Sequence, residues 1–262
     1  MKVSAKLNAM GKLVVLIALV VFCLAGCGSR SPGPPVNVEA LKAQTHKLFT
    51  EGKFAEALGP ARATVLAAET KYGKDSPELA DCIAGVGRVQ ASLRNPAEAI
   101  IAYDQAEEIF RRAKVTGPQL AMPIIWSAAN FQAMKKYDLA EERYLAGIKV
   151  LNDAGDENSF ELISAAVDYA GLKIERGTPQ DAENFLLMAL KALKLSPESQ
   201  PNIHARTLNN LGEIRYLRAD YEDALNYYQQ ALDMAVEKTP DEKRFIAVYR
   251  KNVENAKGKL KK

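Results

Sequence analysis

The sequence predicts an all-α protein, a solenoid of five stacked helical hairpins followed by a C-terminal capping helix. The first observation is a segment at residues 52–58 whose shape returns four times, at intervals of 42, 41, 42 and 42 residues. A near-constant period of this length is typical of arrays in which each unit buries its apolar face only against its neighbours. The second is the absence from the sequence of any useful stretch with the two-residue alternation of a β-strand.

Small residues recur in register with this period. An alanine anchors each unit, and another small residue stands twelve positions before it. Only a small side chain lets two helices of a hairpin approach closely where they cross. The anchors are Ala57, Ala99, Ala140, Ala182 and Ala224, and the small residues before them are Thr45, Gly87, Ala128, Ala170 and Gly212. We expect both sets to be packing positions.

The pattern resembles the tetratricopeptide repeat (TPR). Its closest copy consists of Leu211-Gly212, Tyr221, Ala224, Tyr228 and Ala231. The spacing of 42 residues, longer than the usual spacing of about 34, is similar to the kinesin-light-chain type of repeat. The resemblance covers roughly residues 38–240 and implies a superhelix whose first helices line an inner groove that binds peptides or partner helices.

Single repeats depart from the family pattern at two positions. A proline stands where an aromatic residue is expected at Pro96 and Pro179. The turn glycine is replaced by Arg94, Lys135 and Ala219. These departures make the boundaries of individual units less distinct in the sequence and leave the predicted fold unchanged.

The first 26 residues are expected to form a bacterial lipoprotein signal peptide. Three lysines precede an apolar run, residues 13–25, that is short for a membrane span. The run ends in Leu24-Ala25-Gly26-Cys27, which resembles a lipobox and implies acylation of Cys27. Gly28 then favours, by the same resemblance, the outer membrane facing the periplasm of a double-membraned envelope. The alternative is an uncleaved N-terminal anchor.

The segments after the signal follow in order. Residues 27–37 are rich in Pro, Gly and Ser and predict a tether that spans about 30 Å. The array is predicted at residues 38–240, with hairpins at about 38–78, 79–119, 120–159, 160–202 and 203–240. Residues 241–262 predict a basic capping helix with eight Lys or Arg, either a solvated cap or a contact for an anionic headgroup or polymer.

Charge and cysteine content limit the function. Cleavage after residue 26 removes three lysines and no acids from 35 Lys plus Arg and 32 Asp plus Glu, which leaves 32 of each sign and no basic field for nucleic acid. Cys82 is then the one free thiol, so no intramolecular disulfide is expected. We interpret Cys82 as a packing residue, with a reactive or intermolecular thiol as the alternative.

The sequence predicts no catalytic, metal or cofactor site. His46 and His204 lie in different units, and HExxH, CxxC and GxSxG motifs are absent from the sequence. Gly85-Val86-Gly87 lacks the third glycine of a dinucleotide site. We therefore expect a protein that is not an enzyme.

The better candidate site is the inner groove implied by the resemblance. Polar and aromatic residues between the packing positions of the first helices are candidates to contact an extended peptide. They are Lys42, His46, Arg88, Trp126, Gln132, Asp168, Glu175, Arg206, Asn209, Glu213 and Tyr216. Each has an alternative, a solvated helix residue in most cases and a packing residue for Trp126.

These observations lead to one expected function and one alternative. The expected function is a lipid-anchored scaffold that binds a protein or peptide partner in a bacterial envelope and takes part in the assembly of an envelope complex. That last step rests on family analogy. The alternative is a lipoprotein that self-associates and acts as a structural spacer.

Overall fold

The computed structural model describes residues 37–155, 159–194, 200–237 and 240–261. These ranges contain eleven α-helices and no β-strand. The helices are α1 (Val38–Thr50), α2 (Phe54–Tyr72), α3 (Pro77–Ser92), α4 (Pro96–Arg112), α5 (Pro118–Ala133), α6 (Tyr137–Asp153), α7 (Phe160–Glu175), α8 (Pro179–Lys194), α9 (Pro201–Leu217), α10 (Tyr221–Met234) and α11 (Pro240–Leu260). The predicted signal peptide, Cys27 and the tether as far as residue 36 lie outside the described residues.

Each helix packs against the next one along the chain. Helices α1 to α10 therefore form five hairpins, and α11 follows the fifth. The buried side chains form a series of clusters between neighbouring hairpins. The predicted all-α solenoid of five hairpins and a C-terminal helix is confirmed.

Polar side chains mark where three of the units begin. The side chain of Asn37 accepts hydrogen bonds from the backbone nitrogens of Glu39 and Ala40, at 3.0 and 3.3 Å. The hydroxyls of Ser76 and Ser159 likewise accept from the third residue after them, at the starts of α3 and α7. A cap of this kind stabilises a helix by about 1 kcal/mol, because it satisfies a backbone donor that has no partner within the helix.

The turn inside each hairpin has the same geometry in all five units. The residue five positions before each alanine anchor has a positive φ: Gly52 (74°), Arg94 (64°), Lys135 (59°), Gly177 (85°) and Ala219 (63°). The second helix starts two residues later, at Phe54, Pro96, Tyr137, Pro179 or Tyr221. Proline is well suited to a first helical position, because its missing N–H has no partner there. The prolines that replace the aromatic residue and the non-glycine residues at the turn therefore leave the backbone conformation of the repeat unchanged.

The alanine anchors are buried within the hairpins, as are the small residues of every unit but the first, where Thr45 is half-buried. All five anchors are 0% exposed. A Cβ added to Gly87 would lie 2.6 Å from the ring of Tyr103, and one added to Gly212 would lie 2.7 Å from the ring of Tyr228. These distances explain why the small residue and the tyrosine occur together in a unit.

Ion pairs join the last three units. Lys173 lies 3.1 Å from Glu141, which Arg176 also contacts. Glu183 makes the equivalent contacts one unit later, at 2.8 Å from Arg215 and 2.7 Å from Arg218.

Glu141 is held in its charged form. Burial alone would raise its pKa, but hydrogen bonds from Lys173 and from the Tyr169 hydroxyl, the latter at 3.0 Å, outweigh burial and lower it. In the first two units the position of this glutamate is taken by Leu58 and Ile100. Leu58 packs in one cluster with Leu93, which stands at the position of Arg176. At this one position the contact between units therefore changes from apolar to ionic along the array, while elsewhere Arg143 of the third unit already pairs with Asp104 and Glu107 of the second.

Within the described ranges, none of the helices combines the length and the apolar character needed to cross a membrane.

Candidate peptide-binding groove

The first helices of the hairpins form one continuous face of the array. From the second unit onward, each first helix contacts the first helix of the next unit, and α9 contacts α11. We call the face formed by α1, α3, α5, α7 and α9 the groove face. Every candidate groove residue lies on one of these helices.

An arginine lies between two aromatic rings in the first half of the groove face. The guanidinium carbon of Arg88 is 5.2 Å from the ring centroid of Phe49 and 5.6 Å from that of Trp126. Trp126 in turn packs against Tyr103, with the ring centroids 5.6 Å apart. Cations stack favourably on aromatic faces at these distances, which fixes the plane of the guanidinium.

Beside this arginine is a cavity of about 200 Å³. Lys42, His46 and Arg88 line it, and among the residues described none of the three makes a hydrogen bond or ion pair with another side chain. The one carboxylate in the lining is Asp81, whose pKa is raised by partial burial and lowered, to a smaller extent, by Lys42. The cavity therefore carries more positive than negative charge.

Cys82 also lines this cavity, and it is buried. Burial raises the pKa of its thiol, with Lys42 acting in the opposite direction. A protonated thiol is a poor nucleophile. This environment agrees with the interpretation of Cys82 as a packing residue.

The candidate residues in the second half of the groove face bind one another or neighbouring helices. Asp168 forms an ion pair with Arg206. The amide of Gln132 and the hydroxyl of Tyr137 donate to Glu175, at 2.8 and 2.9 Å. These side chains connect adjacent helices, so their polar groups already have partners.

Three further candidates are engaged in the same way. The Tyr228 hydroxyl donates to Glu213 at 2.7 Å, and the Asn252 amide donates to Asn209 at 3.0 Å. The ring of Tyr216 packs edge-on against that of Tyr221, with the centroids 5.3 Å apart. The structure thus separates the eleven candidates into a first group with open polar atoms and a second group that stabilises the array.

A second cavity, of about 350 Å³, lies between α7, α9 and α11. Arg206 lines it together with Phe160, Phe245 and Tyr249, and its guanidinium carbon is 5.7 Å from the ring centroid of Phe245. Phe245 and Tyr249 of α11 are not among the groove residues that the sequence predicts. Their spacing of four residues on one helix is the signal that would have placed them on a common side.

The remaining histidine is not part of either cavity. His204 is 6% exposed, and its Nδ1 has no hydrogen-bond partner among the residues that the structure describes. Burial lowers its pKa, and Lys194 acts in the same direction. Within the described ranges, the structure brings together no group of three side chains that could hold a metal ion.

Comparison with known proteins decides the type of array. Residues 207–242 match the tetratricopeptide repeat family model. A crystal structure of kinesin light chain TPR-like repeats from Podospora anserina is 13% identical, covers 78% of this chain and 97% of its own, and superposes with a TM-score of 0.61. The chain folds as a TPR array. At the level of the fold, the predicted resemblance to the kinesin-light-chain type is confirmed.

Two other solved structures share the fold of this TPR array. The apo form of RapI is 17% identical, covers 84% of this chain and 81% of its own, and gives a TM-score of 0.66. NprR in complex with its cognate peptide NprX is 14% identical, covers 89% of this chain and 67% of its own, and gives 0.61. No curated protein matches the sequence. At these identities the likeness concerns the fold.

Proposed function

We propose that this TPR array is a non-catalytic, lipid-anchored scaffold that binds a protein partner on its groove face, at the envelope of a bacterium. The observation that carries the proposal is the cavity in the first half of that face. There Lys42, His46 and Arg88 surround one space with polar atoms that form no hydrogen bond or ion pair with another described side chain.

The chemistry of this cavity favours an extended segment that carries a carboxylate. A guanidinium can bind a carboxylate through two parallel hydrogen bonds. Because Phe49 and Trp126 already hold Arg88, little side-chain entropy is lost when a ligand binds. Trp126 offers an aromatic anchor at the same place. The second half of the groove face would keep the array rigid through its internal pairs.

The fold neighbours support peptide binding as the class of function. NprR has this fold and was solved with a bound peptide. That observation concerns NprR, and it makes a bound segment of another protein a reasonable occupant here. Residue-level specificity does not transfer at 14% identity.

The anchor is the second part of the proposal. Leu24-Ala25-Gly26-Cys27 supplies an acceptor for acyl chains at the end of an apolar run. Each buried methylene contributes about 0.8 kcal/mol, so two or more chains hold a protein on a bilayer for long times. Gly28 favours the outer membrane, with the array in the periplasm. Assembly of an envelope complex would then be the role of the scaffold.

The groove is tested by photocrosslinking in the native envelope. A photoreactive residue at position 46 is expected to capture one partner, and the same residue at Glu108 of α4 is not. Arg88→Ala should abolish the capture, whereas Arg62→Ala, which removes an exposed arginine from α2, should leave it intact. Capture that survives Arg88→Ala contradicts the groove assignment. A concentration-dependent oligomer that captures only its own chain supports the spacer instead.

The anchor is tested by metabolic labelling with a fatty acid. Cys27→Ser is expected to eliminate the label, and Cys23→Ser is expected to retain it, because residue 23 would be removed with the signal peptide. Label that remains in Cys27→Ser would show that the anchor is assigned to the wrong residue.

A further inference from the structure

Helix α11 packs on the array as the first helix of a sixth unit would. Ile246, Tyr249, Val253 and Ala256 are buried. The last two lie in one cluster with residues of α10. The sixth unit has no second helix among the described residues, so one side of α11 faces solvent where the other first helices are covered.

That uncovered side carries cations. Lys243, Arg250, Lys257 and Lys261 are all exposed and follow one another at intervals of seven, seven and four residues. Seven residues are nearly two full turns, so the four side chains lie along one line of the helix. At 1.5 Å per residue this line is about 27 Å long. We call it the basic side of α11.

Comparison with the residues 42 positions earlier shows that small or apolar residues are replaced by charged ones on this side of α11. Arg250 stands 42 residues after the buried Leu208, and Glu254 stands 42 residues after Gly212. At the position of Glu254, Gly87 and Gly212 lie against Tyr103 and Tyr228 of the second helix of their own hairpin. In α11 both positions are charged and exposed.

The carboxylates nearby do not balance the charge of the basic side. Lys257 lies 3.3 Å from Glu254, and Lys243 lies 3.7 Å from Glu237, with all four side chains largely exposed. Arg250 and Lys261 form no ion pair in the part of the chain that is described. By contrast, Arg111 and Arg112 of α4 are each paired with a glutamate four residues earlier. A cap needs only a polar side, and charges of mixed sign would provide it.

We propose that the basic side of α11 binds the surface of an anionic lipid bilayer. A straight line of like charges about 27 Å long suits a flat, extended field of opposite charge better than a compact ligand. This inference rests on the proposed function, because the lipid anchor is what brings the protein to a bilayer. The binding energy of the contact itself does not depend on the acyl chains. It would hold the last unit, as well as the tethered first unit, at the membrane surface.

The test uses residues 28–262 without a lipid. This chain contains every described helix and every buried core residue, from Val38 to Ala256. We expect it to cosediment with phosphatidylglycerol vesicles at low salt and to dissociate from them at high salt. We expect it to stay in the supernatant when the vesicles are pure phosphatidylcholine. Because no acyl chain is present, the outcome is independent of whether Cys27 is lipidated.

Matched variants locate the contact. Replacing Lys243, Arg250, Lys257 and Lys261 by Gln should lower the partition coefficient by at least about 100-fold, since each cation near an anionic surface contributes severalfold. A control with the exposed Lys47, Lys74, Arg94 and Lys191 replaced by Gln has the same net charge and should stay within about threefold of the parent chain. Circular dichroism verifies that both variants are folded.

Three outcomes would overturn the proposal. The first is that the parent chain does not bind anionic vesicles at low salt. The second is an equal loss of affinity in the two variants, which would indicate that net charge alone is responsible. The third is binding of soluble polyglutamate through α11 without binding of vesicles, which would assign the basic side to an acidic polypeptide.

Discussion

Gly87→Ala is expected to destabilise the protein, whereas Gly85→Ala, two residues earlier in α3, is expected to stabilise it. Both substitutions add one methyl group to the interior of the same helix. Alanine is favoured over glycine there by about 1 kcal/mol. A Cβ at Gly85 meets no atom within 4 Å, so this variant should gain most of that amount.

The methyl group at position 87 has no room. It would lie 2.6, 2.8 and 3.1 Å from three carbons of the Tyr103 ring. Tyr103 is 1% exposed and packs against Trp126, so the ring cannot retreat without moving a second aromatic side chain. Overpacking of this kind costs about 2–3 kcal/mol. The net effect is a loss of about 1–2 kcal/mol against the parent and about 2–3 against Gly85→Ala.

Urea unfolding followed by far-UV circular dichroism measures the difference. With an m value of about 2 kcal/mol/M, the two midpoints should differ by about 1 M. Trp126 is the one tryptophan, and its native emission should change in Gly87→Ala alone, because Tyr103 contacts it. Equal midpoints, or a Gly87→Ala variant more stable than Gly85→Ala, would refute the packing argument.

Three other variants and one reagent test separate parts of the structure. Ala219→Gly should raise the free energy of unfolding by about 0.5 kcal/mol, because it relieves a φ of 63°, and Gly177→Ala should lower it by about 1 kcal/mol at a φ of 85°; both are read from urea midpoints. Glu141→Gln should cost about 1 kcal/mol at neutral pH. Because folding lowers the pKa of Glu141, this stabilisation is present above its ordinary pKa and is lost as the pH falls through the folded value, so the parent and variant midpoints should converge in acid; a gap that persists would contradict the ionic joint. In the chain 28–262, the buried Cys82 thiol should react with a disulfide reagent at least about 10-fold faster in urea than in buffer; equal rates would contradict its burial.

Local sequence signals were sufficient to predict the fold. The alanine anchors and the small residues twelve positions before them describe contacts within one hairpin, and such contacts repeat with the chain. Even Arg94 and Ala219, which lack the expected glycine, keep the turn because the rest of the hairpin fixes the backbone. Packing that recurs at a constant interval is visible in one sequence.

The state of the candidate groove residues could not be predicted in the same way. Asp168 and Arg206 form an ion pair across 38 residues, and Gln132 bonds to Glu175 across 43. Each such pair joins two units that differ in sequence. The pair does not recur with the repeat period, so the period cannot predict it. The Arg88 site depends on Phe49 and Trp126 from two other units, and only coordinates bring the three side chains together.

The change from an apolar to an ionic contact at the position of Glu141 has a consequence for the order of the hairpins. Lys173 and Arg176 fit behind a hairpin that offers Glu141, but behind the second hairpin they would meet Ile100 and leave two cations without a counter-charge. Phe131 and Met134, which stand at the same two positions in the third hairpin, would face a carboxylate if moved one place along. Each hairpin therefore fits its own neighbours, and the hairpins are not interchangeable. An array with the hairpins in another order should unfold first at the interface between mismatched hairpins.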